Sequence, residues 1–244
     1  MGEMQRPAIS KDDLIFIIDP QVRRFCGPLF FTTSLHTPSG NVPHNGSFGL
    51  IDTGKKKLMV TCYHVWKEFK ELRSQNPKLR FGICFEMPRP VTIEMDSLVV
   101  DEEKRCDLVT FDMQSLLQIC GKLEFYNLYQ NRPPKIKAGD TLYLIGFPGK
   151  GRTDEEDSIG FPRQAIGMRA TEVGDFRFYA NVGNLGLQAD DFGGISGAPC
   201  FFVRDDEQIR LVGFTTGYAP NNMNSLSFTY AKFIRPDGTI NYMI

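Results

Sequence analysis

The chain has almost no net charge and no long hydrophobic run. Lys and Arg total 28 against 29 for Asp and Glu, a formal charge of -1, so no overall field draws the protein to nucleic acid or to an anionic membrane surface. The first apolar run, Leu14 to Ile18, is too short for a signal-peptide core or a membrane span. We therefore expect a cytoplasmic protein with neither a nucleic-acid nor a membrane partner.

Cysteine pairs with the spacing of a zinc site or a redox motif are also missing. The six cysteines lie singly, mostly inside apolar segments, at Cys26, Cys62, Cys84, Cys106, Cys120 and Cys200. Isolated thiols of this kind predict reduced core residues in a cytoplasmic protein. We expect neither a metal nor an organic cofactor.

Long helical patterns are few, whereas short strand-like runs bounded by turn residues recur along the chain. The clearest is a hairpin in which residues 47–52 and 57–62 flank a turn. Further strands are predicted at about 79–85, 91–100, 107–113, 141–147, 163–173, 176–182, 200–203, 209–215 and 225–234. A short helix is predicted at 66–74. This order predicts an all-β barrel or sandwich, and the irregular segment 121–137 divides it into two halves.

One glycine-rich loop carries a serine. The run Asp191-Phe-Gly-Gly-Ile-Ser-Gly-Ala-Pro-Cys200 places Ser196 between Gly194 and Gly197. Glycine backbone can bend sharply and approach a ligand closely, so this loop can present a hydroxyl and its neighbouring N–H groups to one substrate atom. Taken alone, the same pattern also fits a glycine-rich turn that leads into a buried strand. A catalytic interpretation therefore depends on partners elsewhere in the chain.

The base that would take the serine proton has only three candidates. His36 and His44 lie in a Pro- and Gly-rich loop, where a solvated side chain is expected, whereas His64 ends a predicted strand that can aim it. Imidazole suits the task because its pKa lies near neutrality.

A carboxylate is needed to orient the imidazole and to stabilise its charged form. Asp107 fits because it begins an apolar strand at a sheet edge. Asp101 is less apt because it lies in an acidic run that predicts a solvated turn, and Asp112 lies further along the strand.

Three short motifs occur in the order His, Asp, Ser: Thr61-Cys-Tyr-His64, Asp107-Leu-Val109 and Gly194-Ile-Ser-Gly-Ala-Pro199. Together with the segments 46–54, 139–148 and 211–217, they resemble the trypsin-like (chymotrypsin-fold) serine peptidases, in particular the bacterial and intracellular members. The resemblance covers roughly residues 25–235. It implies one peptidase domain over 1–244, built of two six-stranded antiparallel β-barrels with the active site between them. The barrels would span about 25–125 and 138–235, joined by a linker at about 121–137.

The resemblance also implies an activity, that of a serine endopeptidase acting through an acyl-enzyme. Ser196 would be the nucleophile, His64 its base and Asp107 the orienting carboxylate, and the N–H groups of Gly194 and Ser196 would form the oxyanion hole. The substrate, a protein or peptide, would contact Asp190, Thr215, Thr216, Gly217 and Tyr218. Asp190 stands where members that cut after Lys or Arg have an acidic pocket floor, but a solvated loop acid is the favoured interpretation of this residue.

The sequence departs from the family pattern beside the serine. Ile195 replaces a polar residue that, in secreted members, pairs with a freshly cut N-terminus, so that activation route is expected to be absent. Two alternatives follow. One is a catalytically silent module that binds a peptide in the same groove. The other is an enzyme that an activating protein partner switches on by reshaping the Ser196 loop.

Overall fold

The computed structural model describes residues 11–33, 45–84, 91–118, 123–149, 153–155, 158–182, 193–203, 208–220 and 222–243. The first half contains α1 (Lys11–Val22), β1 (Cys26–Thr32), β2 (Asn45–Asp52), β3 (Lys57–Thr61), α2 (Tyr63–Gln75), β4 (Arg80–Ile83), β5 (Val91–Ile93), β6 (Val99–Glu103), β7 (Leu108–Asp112) and β8 (Tyr126–Asn127). The second half contains β9 (Thr141–Gly146), β10 (Thr153–Glu155), β11 (Ser158–Gly160), β12 (Gln164–Val173), β13 (Arg177–Asn181), β14 (Pro199–Val203), β15 (Ile209–Ala219) and β16 (Asn222–Tyr230).

The second half forms a closed antiparallel barrel. Its six strands follow the order β12, β13, β16, β15, β14, β9, and β9 pairs again with β12. The β10–β11 hairpin is a separate two-stranded sheet. This barrel agrees with the six strands expected for the second half.

The first half forms a curled sheet that does not close through the described strands. Its order is β5, β4, β1, β2, β3, β7, β6, and β8 pairs in parallel with β2. The first barrel of the expected fold is therefore present as a curled half-barrel sheet, with β5 and β6 at the ends of the described strand order. The C-terminal segment packs beside the β6 edge, where the Ile240 N–H donates to the Asp101 carboxylate at 2.7 Å.

The central strands of the first sheet, among them β1, β3 and β7, are buried on both faces. Successive side chains of a strand point to opposite sides, and β3 shows the result. Met59 packs inside the first sheet, whereas Leu58 and Val60 belong to the core shared with the second barrel. All three are 0% exposed. The two halves are thus joined by a continuous apolar interface, which fixes the cleft between them.

The helices differ most from the sequence-based expectation. The lead-in before β1 forms α1, whose Asp19 pairs with Arg163 at 3.0 Å, so this helix rests on the second barrel. Helix α2 begins at Tyr63, three residues earlier than predicted, and so it includes His64. None of the described helices is both long enough and apolar enough to cross a membrane.

Candidate active site

His64 and Asp107 form a two-point contact. The His64 ring Nδ1 lies 2.7 Å from Asp107 Oδ2, and the His64 backbone N–H donates to Oδ1 at 2.9 Å. The Asp107 side chain is 15% exposed and the His64 side chain 47% exposed. The carboxylate therefore holds the Nδ1 edge of the imidazole, and about half of the His64 side chain remains exposed to solvent.

Helix α2 holds His64 in place through its buried face. Val65, Trp66 and Phe69 enter the first core, and the Trp66 and Phe69 rings stack at 5.4 Å. The Trp66 indole N–H also donates to Glu102 on β6 at 2.6 Å. Because these neighbours are buried, His64, one position earlier than Val65, is held at the exposed first turn of the helix.

Asp107 has a left-handed backbone, with φ of 53°, and it is the only described non-glycine residue with positive φ. Such a conformation is uncommon outside glycine, and aspartate is one of the residues that tolerate it. The Asp107 carbonyl accepts the Tyr63 N–H at 3.1 Å. Strain of this kind concentrates at functional sites, and here it turns the carboxylate toward the start of α2.

The other two carboxylates considered for this role are engaged elsewhere. Asp101 lies in β6 and accepts the backbone N–H groups of Glu102 and Ile240, so the solvated turn expected there is wrong. Asp112 is paired with Lys56. Burial raises the pKa of Asp112, but the hydrogen bond from Lys56, then the Gln114 N–H and the Lys56 charge, lower it overall.

Ser196 lies on a loop that shares a hydrogen-bond acceptor with the segment just before His64. The Thr215 carbonyl accepts two hydrogen bonds, from the Gly197 N–H at 2.8 Å and from the Cys62 thiol at 2.9 Å. Gly197 follows Ser196 directly, and Cys62 lies two residues before His64. One oxygen thus links the serine loop to the start of α2. The Ser196 hydroxyl makes no hydrogen bond to any described residue.

Four successive carbonyl groups of this loop accept hydrogen bonds within the protein. Those of Gly193, Gly194, Ile195 and Ser196 accept hydrogen bonds from the Gly149 N–H at 2.6 Å, the Ser47 hydroxyl at 2.9 Å, the Ala198 N–H at 2.9 Å and the Ser47 N–H at 2.8 Å, respectively.

Two amides of the loop, those of Gly194 and Ser196, therefore point away from these partners. In a planar trans peptide the N–H points opposite to the carbonyl, so the Gly194 and Ser196 N–H groups face away from the partners of Gly193 and Ile195. Neither amide donates to a described residue. Two unpaired N–H groups beside one serine hydroxyl have the chemistry of an oxyanion site.

Ile195 packs inward where the family has a polar residue. It is 2% exposed and lies in the second core against Gly146, whose Cβ, if it had one, would be 2.9 Å from the Ile195 Cγ2. Apolar packing therefore holds this part of the loop in place.

Among residues that sequence reasoning missed, Ser47 stands out: it is 0% exposed and contacts the loop twice.

The Cys62 thiol lies close to the His64 imidazole. Burial first, and the Asp107 charge second, raise the pKa of its thiol well above the ordinary value, so the thiol stays protonated and is a poor nucleophile. Ligand atoms of Cys62, His64 and Asp107 lie within 4.8 Å of one another. These three could hold a metal ion, although each already contacts a protein group.

The predicted substrate strand lies on β15. Both backbone groups of Thr215 are used within the protein, because its N–H donates to Ala198 and its carbonyl accepts from Gly197. Thr216, Gly217 and Tyr218 are partly exposed. Gly217, with φ of 128°, faces open space. Asp190, His36 and His44 lie outside the described residues.

A separate cavity of about 480 Å³ is lined by none of these residues. It lies between α1, β8 and the start of β15, with Arg24, Glu124 and Arg210 at its walls. Arg24 and Glu124 pair there at 2.9 Å.

Comparison with known proteins identifies the fold through structure alone. No protein-family model matches the sequence, and no curated protein matches it. The active form of the Rv3671c protease from M. tuberculosis is similar with a TM-score of 0.53 at 13% identity, covering 95% of this chain and 89% of that one. Deg5 is similar with a TM-score of 0.56 at 12% identity, covering 91% of each chain.

A thermostable serine protease, AL20, from an extremophilic microorganism is similar with a TM-score of 0.51 at 12% identity, covering 85% of this chain and 91% of that one. These likenesses define the class of fold: the chain has the two-barrel chymotrypsin fold of trypsin-like serine proteases. The predicted fold class is confirmed, with the first barrel present as the open, curled sheet described above.

Proposed function

We propose that this protein is a serine endopeptidase whose triad is Ser196, His64 and Asp107. The observation that carries the proposal is the 2.7 Å contact between His64 Nδ1 and Asp107 Oδ2. The Ser196 loop is held near this pair, because the Thr215 carbonyl accepts hydrogen bonds from both Gly197 and Cys62. The fold, similar to that of serine proteases, is consistent with it.

The geometry fits an acyl-transfer mechanism. With its Nδ1 proton held on Asp107, the imidazole keeps Nε2 free as a base. Nε2 would accept the Ser196 proton as Oγ forms a bond to the carbonyl carbon of a peptide substrate. The carbonyl π electrons would move to oxygen, facing the Gly194 and Ser196 amides. Nε2 would then protonate the leaving amine, and water would release the acyl group by the same steps.

The substrate would bind along the partly exposed end of β15. A peptide can add to a strand through main-chain hydrogen bonds, and Thr216, Gly217 and Tyr218 are the exposed positions that follow Thr215. The open space over Gly217 leaves room for a substrate side chain.

Labelling with a fluorophosphonate probe, read by intact mass, tests the proposal. Wild type should gain one adduct, mapped to Ser196, and both Ser196→Ala and His64→Ala should lose it. Ser97→Ala is the matched control, because Ser97 is an exposed serine whose hydroxyl donates only to the Glu94 carbonyl; it should label as wild type does. An adduct on another residue, or none on folded wild type, would refute the proposal.

One observation favours the partner-activated alternative as a second candidate. The Ser196 hydroxyl has no hydrogen bond to a described residue, His64 included, so the contact between nucleophile and base would still have to form. If wild type labels only after a cell extract is added, and Ser196→Ala still does not, the activating-partner form is correct. A silent peptide-binding module would bind peptides without ever labelling.

A further inference from the structure

We infer that the Ser47 hydroxyl is a positioning group that holds the serine loop in its active shape, an inference that rests on the proposed function. Ser47 lies in β2, on the first sheet, whereas the loop belongs to the second barrel. Its hydroxyl donates to the Gly194 carbonyl at 2.9 Å and accepts the Phe147 N–H at 3.0 Å. One side chain thus connects both halves of the cleft.

The direction of these hydrogen bonds is fixed. A backbone N–H can only donate, so the hydroxyl must accept from Phe147, and its own proton is left for the Gly194 carbonyl. The Ser47 backbone N–H adds a third contact, to the Ser196 carbonyl at 2.8 Å. The side chain is 0% exposed, so water does not compete for these groups.

The loop needs such support because its backbone does not favour this shape. Gly194 and Gly197 have φ of 96° and 89°, and glycine has many other conformations of similar energy. The polar residue that pairs with a new N-terminus in secreted relatives is Ile195 here, and its apolar packing fixes a side chain without orienting a peptide group. Hydrogen bonds to the carbonyls orient the peptides, and Ser47 supplies two of the four.

The Ser47 contacts surround the peptide groups that would bind the oxyanion. The Gly194 amide precedes the carbonyl that the hydroxyl holds, and the Ser196 amide precedes the carbonyl that the Ser47 N–H holds. Without the hydroxyl, the Gly194 carbonyl loses this hydrogen bond in a part-buried place, so rotation of the Gly194–Ile195 peptide becomes favourable. This peptide shares its two Cα atoms with the peptides that carry the Gly194 and Ser196 amides, so its rotation would shift those amides away from the reacting carbonyl.

The test compares Ser47→Ala with Thr110→Val. Thr110 is also 0% exposed, and its hydroxyl donates to the Gly238 carbonyl at 2.7 Å, away from the loop. Both variants lose a buried hydroxyl hydrogen bond. Ser47→Ala should lower kcat about 10- to 100-fold with little change in KM, as expected from a misplacement of about 1 Å. It should also weaken the binding of a peptide aldehyde inhibitor by the same factor. Thr110→Val should change neither value.

Hydrogen exchange supplies a readout that does not depend on activity. Ser47→Ala should speed exchange in the peptide covering 193–203, and Ser47→Thr should restore slow exchange, whereas Thr110→Val should leave that peptide unchanged. The inference is wrong if Ser47→Ala exchanges in this peptide as slowly as Thr110→Val does. It is also wrong if Ser47→Ala raises KM by as large a factor as it lowers kcat. If the loop loosens while wild type never labels with fluorophosphonate, the positioning role stands and the proposed function fails.

Discussion

Gly197 lies against Thr61 so closely that no side chain fits between them. A Cβ at Gly197 would overlap the Thr61 hydroxyl and the Ser47 carbonyl oxygen. The residue also has φ of 89°, which favours glycine. Two independent constraints thus require glycine directly after the candidate nucleophile.

Gly197→Ala should destabilise the protein by more than backbone strain alone. Gly139→Ala is the control, because Gly139 has φ of 90° but nothing within 4 Å of its Cβ position. We expect Gly139→Ala to cost about 1–2 kcal/mol of unfolding free energy, and Gly197→Ala about 1–3 kcal/mol more through overpacking. Urea unfolding measures both. Equal losses in the two variants would contradict the close contact with Thr61.

Asp107→Asn should remove activity while the fold persists. An asparagine tolerates positive φ, and its amide oxygen can still accept the His64 backbone N–H. Its NH₂ group then faces the ring Nδ1, which forces the proton onto Nε2, so the base cannot accept the serine proton. We expect kcat to fall by about 10⁴-fold, measured with a fluorogenic peptide on which wild type is active.

Asp112→Asn is the control for this change, because it alters a carboxylate that pairs with Lys56 and should leave kcat unchanged. Activity of Asp107→Asn close to that of wild type would remove Asp107 from the triad.

The fold class could be predicted because strand periodicity is a local signal, and because the order of the three motifs can be read along the sequence without knowing their contacts. The hairpin β2–β3 and the buried strand β9 lie close to their predicted bounds. Helix α1 was missed because Pro20 and the unbroken apolar run Leu14 to Ile18 give no helical periodicity. Its docking on the second barrel also involves a distant ion pair between Asp19 and Arg163.

The candidate site was predictable only where a residue type carries the chemistry. His64 and Asp107 could be chosen because histidines are few and the carboxylate begins a strand. Ser47 could not be chosen, because a serine in a strand has no distinctive pattern and its two partners lie about a hundred or more residues away. The same holds for the Gly149 amide, which orients the Gly193 carbonyl.

Ile195 should tolerate apolar replacement and reject a charge. It is 2% exposed in the core of the second barrel. Ile195→Val should cost about 0.5–1.5 kcal/mol, whereas Ile195→Asp buries a carboxylate for which the apolar core offers no partner and should cost several times as much. Thermal unfolding compares the two. An Asp variant as stable as the Val variant would show that this side chain can reach water or a cation.

The buried thiols should make the protein less stable at alkaline pH. Burial, followed by the Glu103 charge, raises the pKa of Cys106 from 9.0 to about 12. Between these values the folded state keeps the proton and the unfolded state loses it. The unfolded state then binds fewer protons, so the free energy of unfolding decreases as pH rises through this range. Below about pH 9 the contribution of Cys106 is complete.

Urea midpoints at increasing pH check this expectation. The decrease should begin near pH 9, and Cys106→Ala should make it shallower without removing it, because burial also raises the pKa of Cys62 and Cys200 well above the ordinary value. Cys84 is partly exposed, so in the native protein a thiol reagent should modify it before the four buried cysteines of the described residues, Cys26, Cys62, Cys106 and Cys200. Rapid modification of Cys106 in the folded state, or an unchanged slope in Cys106→Ala, would contradict the burial of this thiol.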